Sequence, residues 1–372
     1  MTSKNAAAGP APSLDNRIDV IDAFRGIAIL SVLFYHFTVA LAPPYEPTNF
    51  YNFSGQYPTW LGFGRYGVHL FFFISGIVIS MTLVRSAGPV SFLWKRFARI
   101  YPAFFAAATA TYLAGVVTGY YMDGSHPADY LATLLLVAPH LHRTWVDPVY
   151  WSLLVEAKFY LVVAASFFLL KTRFWAGVIG YALLVAVVAS RHAWAAHDYL
   201  ISDEMVFFLL GIGVWLLRFG RQAKAGIACM ATGIALYAYY NFLLPGPCNP
   251  LSKVCMEFDP SWIAHLYILL TVGGLATLIL TRRTASFEPL AWVGRISYSV
   301  YLTHDLLGLD VVRLVKRLGG PDALATIAAV VASLLVGAVM FHLLEEPAHR
   351  MLRTPPWLRR RPAAYAPAVQ AP

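Results

Sequence analysis

Arg25 and His36 interrupt the otherwise apolar run IDAFRGIAILSVLFYHF, residues 21–37. They stand eleven positions apart. On an α-helix that spacing brings them to within about 20° of three full turns and about 16 Å apart along the axis. One helical stripe thus carries a cation near one end and a titratable imidazole further along. Imidazole suits proton transfer near neutral pH. Guanidinium suits bidentate capture of phosphate. Asp22, three residues before Arg25, is spaced to hold that guanidinium. A second cationic pair, Arg96 and Arg99 in SFLWKRFARIYP, is spaced i, i+3 on one helix face. His69 (GRYGVHLFFFISG), Glu156 (VYWSLLVEAKFYL) and His304 (GRISYSVYLTHDLL) are further ionisable groups in apolar sequence. Two simpler readings stand beside these. A lone histidine in such a helix can serve only as an interhelical hydrogen bond. Arginines at a helix end can serve only as anchors.

The elements that position these groups follow from composition. The chain of 372 residues is 59% apolar and 13% charged, with mean hydropathy +0.60. A soluble domain averages about 25% charged and 45–50% apolar residues. Lipid is therefore the expected solvent. A hydrocarbon core of about 30 Å calls for roughly 20 apolar residues per helix. Apolar runs between charged or Pro/Gly breaks predict an all-α, polytopic membrane bundle. Its ten transmembrane helices fall near 22–43, 65–84, 101–120, 150–170, 174–190, 204–218, 225–243, 261–281, 296–314 and 323–343. Segment 129–142, DYLATLLLVAPHLH, is short and ends in Pro139, His140 and His142, so it reads as interfacial or re-entrant.

With both termini in the cytoplasm, inner segments hold Arg85, Lys95, Arg96, Arg99, Arg218, Arg221, Arg282 and Arg283, while outer segments hold few cations, among them Arg143, Arg191 and Lys253. That asymmetry fits the positive-inside rule. The formal net charge of +9 is accordingly read as cytoplasmic loops, not as a nucleic-acid surface. The domain reading is a polar tail at 1–16 with no cleavable signal peptide, one membrane domain at 17–353, and a basic Pro/Ala-rich tail at 354–372. Cys248 and Cys255 fall in an outer loop, where a disulfide and two free thiols are both open; Cys229 reads as packing.

No glycine-rich phosphate loop, zinc-ligand spacing or G-x-S-x-G elbow is present. The set of motifs instead resembles the membrane acyltransferase-3 family. VIDAFRGIAILSVLFYHF resembles the family's first span, with an Arg/Lys and a His separated by ten residues. GVHLFFFISGIVIS, KRFARIYP, YWSLLVEAKFYL, GRISYSVYLTHDLL and LLEEPAHR follow in family order. They match Arg96, Arg99, Pro102, Trp151, Ser152, Glu156, Tyr160, Ser297, Tyr298, Tyr301, His304, Glu345 and Pro347. His69 stands where many members carry Asp or Asn, and Lys158 where Gln is common.

The resemblance implies a ten-span enzyme that moves an acyl group, commonly acetyl, from coenzyme A to hydroxyls of a cell-surface or exported polysaccharide. On that reading His36, Glu156 and His304 are the catalytic residues, with His36 either deprotonating the acceptor directly or accepting the acetyl group first, and Arg25, Arg96 and Arg99 bind the acetyl-coenzyme A phosphates. Asp22, His69, Trp151, Ser152 and Tyr301 would bind substrate or support the site, Asp22 by holding Arg25. No metal is expected, and no fused second domain. The implied setting is the bacterial inner membrane, with polysaccharide-export or glycosyltransferase proteins as candidate partners. Three other readings stay open: acylation of a lipid or small-molecule acceptor, a proton-coupled transporter, and a non-catalytic partner in an export assembly. The sequence shows no internal repeat of the kind inverted-repeat transporters carry.

Overall fold

The computed structural model describes residues 15–41, 59–118, 126–190, 200–201, 204–243, 262–281 and 287–353. Among these the protein is all-α. Its helices are α1 Asp15–His36, α2 Gly67–Val84, α3 Pro89–Thr118, α4 His126–Leu134, α5 Trp151–Leu170, α6 Phe174–Ser190 and α7 Met205–Arg218. They continue with α8 Ala223–Ala238, α9 Trp262–Ile268, α10 Gly274–Leu280, α11 Glu288–Arg317, α12 Asp322–Met340 and α13 Glu346–Leu352. π-turns at Tyr239–Leu243, Leu269–Gly273 and Phe341–Glu345 extend or join these rods.

Each of the ten expected spans coincides with a helical rod. Among the described residues, six stretches are long and apolar enough to cross a membrane: Val20–Leu41, Leu61–Val84, Pro89–Val117, Pro148–Val188, Ala223–Leu243 and Asp322–Leu352. Pro148–Val188 contains both α5 and α6. α7 has 14 residues, about 21 Å of helix, less than the hydrocarbon thickness. α11 is too polar to qualify by composition, yet it packs on α1, α3 and α12. α4 has nine residues, too few to span, in keeping with the interfacial reading of 129–142.

Boundaries differ from expectation in a consistent way. α3 begins at Pro89 rather than 101, and α11 at Glu288 rather than 296. Each starts with a proline at or near its first turn, where the missing N–H costs nothing. Arg and Lys are good helix formers, so both helices run through their charged flanks before reaching apolar sequence. α1 ends at His36, not at 43. The expected tails at 1–16 and 354–372 fall outside the described residues apart from Asp15 and Asn16, which belong to α1. Cys248 and Cys255 also lie outside them. Cys229 is a buried free thiol, as the packing reading required.

Many large apolar side chains face outward, including Leu161, Phe168, Ile234, Leu335 and Val339. In water such a girdle would drive aggregation; against lipid it is the solvated surface. The interior is aromatic and tightly interlocked: Phe73, Phe92, Phe104, Tyr150, Phe159, Phe207 and Phe208 are fully buried.

Candidate active site

The site is built on a close, parallel crossing of α1 and α11. A Cβ on Gly294 would collide with the Asp22 carbonyl oxygen, and one on Gly26 with the Leu290 carbonyl. Small residues at a membrane-helix crossing let backbones approach this far. Below and above that point the two stripes face each other. On α11, Gly294, Ser297, Tyr301 and His304 recur at three- and four-residue steps, hence on one face. On α1, Asp22, Gly26, Ile29, Leu33 and His36 do the same.

The crossing brings His36 and His304 together. His36 Nδ1 and His304 Nε2 are 2.7 Å apart, and the rings stack with centroids 4.9 Å apart and planes 23° apart. His304 Nδ1 lies 2.8 Å from the Tyr301 carbonyl oxygen. A carbonyl can only accept, so His304 carries its proton on Nδ1 and presents a lone pair at Nε2. His36 must then donate from Nδ1. Its own Nε2 is left with a lone pair and no proton. The ladder Tyr301 C=O, His304, His36 thus fixes one tautomer and leaves one basic nitrogen at its end. Asp305 stands behind the pair: His36, His304 and Asp305 each offer a ligand atom within 4.8 Å of the others. Such a trio could hold a metal ion, although the 2.7 Å separation is that of a shared proton, and a metal would have to spread the two nitrogens. Asp147, fully buried, uses Oδ1 to cap the turn at Pro148–Tyr150 through Val149 N (3.1 Å) and feels the charge of Asp305 most strongly among its neighbouring acids.

Beside this pair lies a cavity of about 140 Å³. Arg25, Arg96 and Arg99 line it, together with Ser75, Ser152, Glu156, Tyr160, Tyr298 and Tyr301 and an apolar wall that includes Val68, Phe71, Phe72 and Leu153. Its cations are held from outside. Asp22 stands 3.8 Å from Arg25. Thr82 accepts from Arg96, whose guanidinium also lies 5.9 Å from the Tyr160 ring centre. Glu345 accepts from Arg99 through Oε1 and from Ser299 Oγ (2.5 Å) through Oε2. The Glu345 carboxylate is fully buried. The π-turn Phe341–Glu345 carries it, and such bulges are frequent at functional sites.

At the cavity's polar end Ser152 Oγ and Tyr301 Oη are 2.8 Å apart, and both also reach the Val149 carbonyl, at 3.1 and 2.9 Å. Glu156 accepts from Ser75 Oγ at 2.8 Å. His36 and His304 do not line this cavity. Tyr301 is the residue common to both, with its ring centre 5.5 Å from that of His304.

Of the residues singled out from sequence, Arg25, Arg96, Arg99, Ser152, Glu156 and Tyr301 converge on one cavity, His36 and His304 pair beside it, and Asp22 supports Arg25. Two stand apart. His69 is buried among Tyr66, Phe72 and Phe207, with ring centres 4.7–6.4 Å away, on the α2–α7 side. Trp151 packs edge-on against Phe72 at 6.2 Å and does not line the cavity. His69 shares with Glu156 and His304 an apolar sequence setting, but that setting carries no information on facing. Sequence reasoning missed Glu345 as a cavity residue's partner, although it lies in a motif already matched. It also missed Asp305, whose signal was an intramembrane carboxylate next to His304.

Comparison with known proteins gives the family. The acyltransferase domain family, Acyl_transf_3, matches residues 18–342. Relatives include the exopolysaccharide production protein ExoZ of Rhizobium meliloti (strain 1021), 29% identical over 76% of this chain and 89% of that protein. Acyltransferase MdmB of Streptomyces mycarofaciens is 27% identical over 82% of this chain and 84% of its own length. Peptidoglycan O-acetyltransferase OatA of Listeria monocytogenes is 23% identical over 88% of this chain, which spans 55% of OatA. No solved structure matches. The chain belongs to the membrane acyltransferase-3 family and is an enzyme of that acyltransferase class.

Proposed function

We propose that this protein is an O-acyltransferase that moves an acetyl group from coenzyme A to a hydroxyl of a cell-surface or exported polysaccharide. It would sit in the bacterial inner membrane with both termini in the cytoplasm. One observation carries the reading: an arginine-lined cavity ends at Tyr301, whose carbonyl fixes the tautomer of the His304–His36 pair. Tyr301 stands between the arginine-lined cavity and the histidine pair. The kinship to ExoZ and OatA, named for exopolysaccharide production and peptidoglycan O-acetylation, supports a saccharide acceptor.

In this reading Arg25, Arg96 and Arg99 bind the donor's phosphates. The pantetheine arm lies along the apolar wall, and displacement of the Tyr301 side chain admits the thioester to His36. His36 Nε2 takes the proton from the acceptor hydroxyl as its oxygen attacks the thioester carbonyl. A C–O bond forms, the C–S bond breaks, and the proton passes to the departing thiolate. His304 holds His36 in the competent tautomer through the 2.7 Å contact. The Asp305 carboxylate is placed to offset the charge that His36 gains. General base catalysis of this kind is worth about 10²–10⁴-fold. Glu156, buttressed by Ser75, and the Ser152–Tyr301 hydroxyl pair orient the acceptor.

The test is transfer of radiolabelled acetyl from acetyl-coenzyme A to isolated surface polysaccharide, using membranes that contain the protein. Alkali-labile label on the saccharide is the expected result. A protein that only transports would leave the polysaccharide unlabelled, and that outcome would overturn the reading.

A further inference from the structure

A second cavity, of about 240 Å³, adjoins the first. Arg25 and Arg99 line both. The new walls are Arg295 from α11, Phe341 from the π-turn, and Glu346 and His349 from α13. The acids here are already engaged: Asp22 beside Arg25 at 3.8 Å, and Glu346 with Arg350 at 2.5 Å. Arg295 is tied to Glu288 at 2.5 Å, but the Glu288 side chain is 68% exposed. Such a rim pair contributes little and yields readily to a stronger anion. His349 is half-buried and crowded by Arg99, Arg353 and Arg96, which together disfavour a protonated ring, so it offers a neutral N–H donor beside the cations. The cavity therefore gathers cations without gathering free carboxylates, and Phe341 adds an aromatic ring.

Neither cavity alone reaches the ~300 Å³ at the lower end of ordinary small-ligand sites. A ligand with two chemically different ends fits the pair. A phosphate-rich nucleotide would take the cationic and aromatic chamber, and a slender arm would pass between Arg25 and Arg99 into the apolar one. We propose that this second cavity is a nucleotide subsite, in which Arg295 and His349 bind the phosphates, including the ribose 3′-phosphate, of the acyl donor and Phe341 stacks on its base. This rests on the coenzyme A reading above and extends it to Arg295, Phe341 and His349, to which the sequence reading gave no role.

Coenzyme A binding to the purified protein in phosphatidylcholine nanodiscs tests this without any acceptor. The expected results are competition by adenosine 3′,5′-bisphosphate and a Kd about tenfold weaker for dephospho-coenzyme A, the effect of one charge-assisted contact. In Arg295→Gln and His349→Gln the Kd for coenzyme A should rise about tenfold, and the preference over dephospho-coenzyme A should collapse. Wild-type protein that binds no coenzyme A would sink the donor reading itself. Wild-type protein that binds it with no competition by the bisphosphate, or variants that keep the full preference, would overturn the subsite alone. The wild-type competition stands even if a variant fails to accumulate. If phosphatidylglycerol in the nanodisc displaced the bisphosphate in wild type but not in Arg295→Gln, a lipid headgroup would own the site and the proposal would be wrong.

Discussion

Replacing His304 separates a tautomer-fixing role from simple packing. His304→Phe keeps a ring in the stack with His36 but removes both nitrogens. The His36 Nδ1–H, now 2.7 Å from nothing polar on that side, loses its acceptor. An unmet buried donor costs about 1–3 kcal/mol. His36 can relieve that cost by moving its proton to Nε2, and the base is then blocked. At 1.4 kcal/mol per tenfold, the population of the competent tautomer falls by about 5–150-fold. Loss of the partner that shares the imidazolium charge adds to this, so the total should approach the 10²–10⁴-fold typical of general base catalysis. His304→Gln offers an amide oxygen that can still accept from His36, and should keep most of the tautomer preference while losing charge sharing. The assay is kcat for acetyl transfer at saturating donor, with membrane accumulation measured in parallel. The expected order is wild type, then His304→Gln, then His304→Phe, at similar protein levels and similar donor KM. Full kcat in His304→Phe would refute the tautomer argument. Equal, severe losses in both variants with poor accumulation would point to packing instead.

Other predictions follow from the same contacts. Glu345→Gln removes the buried carboxylate from Arg99 and Ser299 and should raise the donor KM about tenfold, by one charge-assisted hydrogen bond; a double cycle with Arg99→Gln should be far from additive, whereas additive effects would deny the pair a joint role. Gly294→Leu would drive a side chain into the Asp22 carbonyl and should cost at least the 1–3 kcal/mol of an overpacked core, seen as reduced detergent-melting temperature; unchanged melting would contradict the close crossing. Transfer should fall as pH is lowered, because protonation of the histidine pair removes the free lone pair on His36. A rate that rises toward acid would reverse the assigned proton flow. His69→Phe, inside an aromatic cage, should leave donor KM unchanged; a rise above about tenfold would place His69 in the donor path.

Much of the helical framework was legible because lipid imposes a simple rule: each apolar run must close its own backbone hydrogen bonds. Arg25 and His36 could be placed on one stripe from spacing alone. Arg96 and Arg99 could likewise be read as one cationic face. What the sequence does not contain is the azimuth of one helix against another. His36 and His304 are 268 positions apart, and their meeting depends on Gly26 and Gly294, which carry no chemical signal of their own. The same gap explains His69, whose helix turns it toward α7, and Glu345, whose inward aim depends on a π-turn that shifts helical phase. Glu156, read from sequence as catalytic, accepts a hydrogen bond from Ser75 on the cavity wall.

If the unprotonated nitrogen of His36 takes the acceptor proton, labelled acetyl transfer by His36→Ala falls to background while coenzyme A binding is retained, in membranes where its amount matches wild type. Acetylation at the wild-type rate would assign the base to another group.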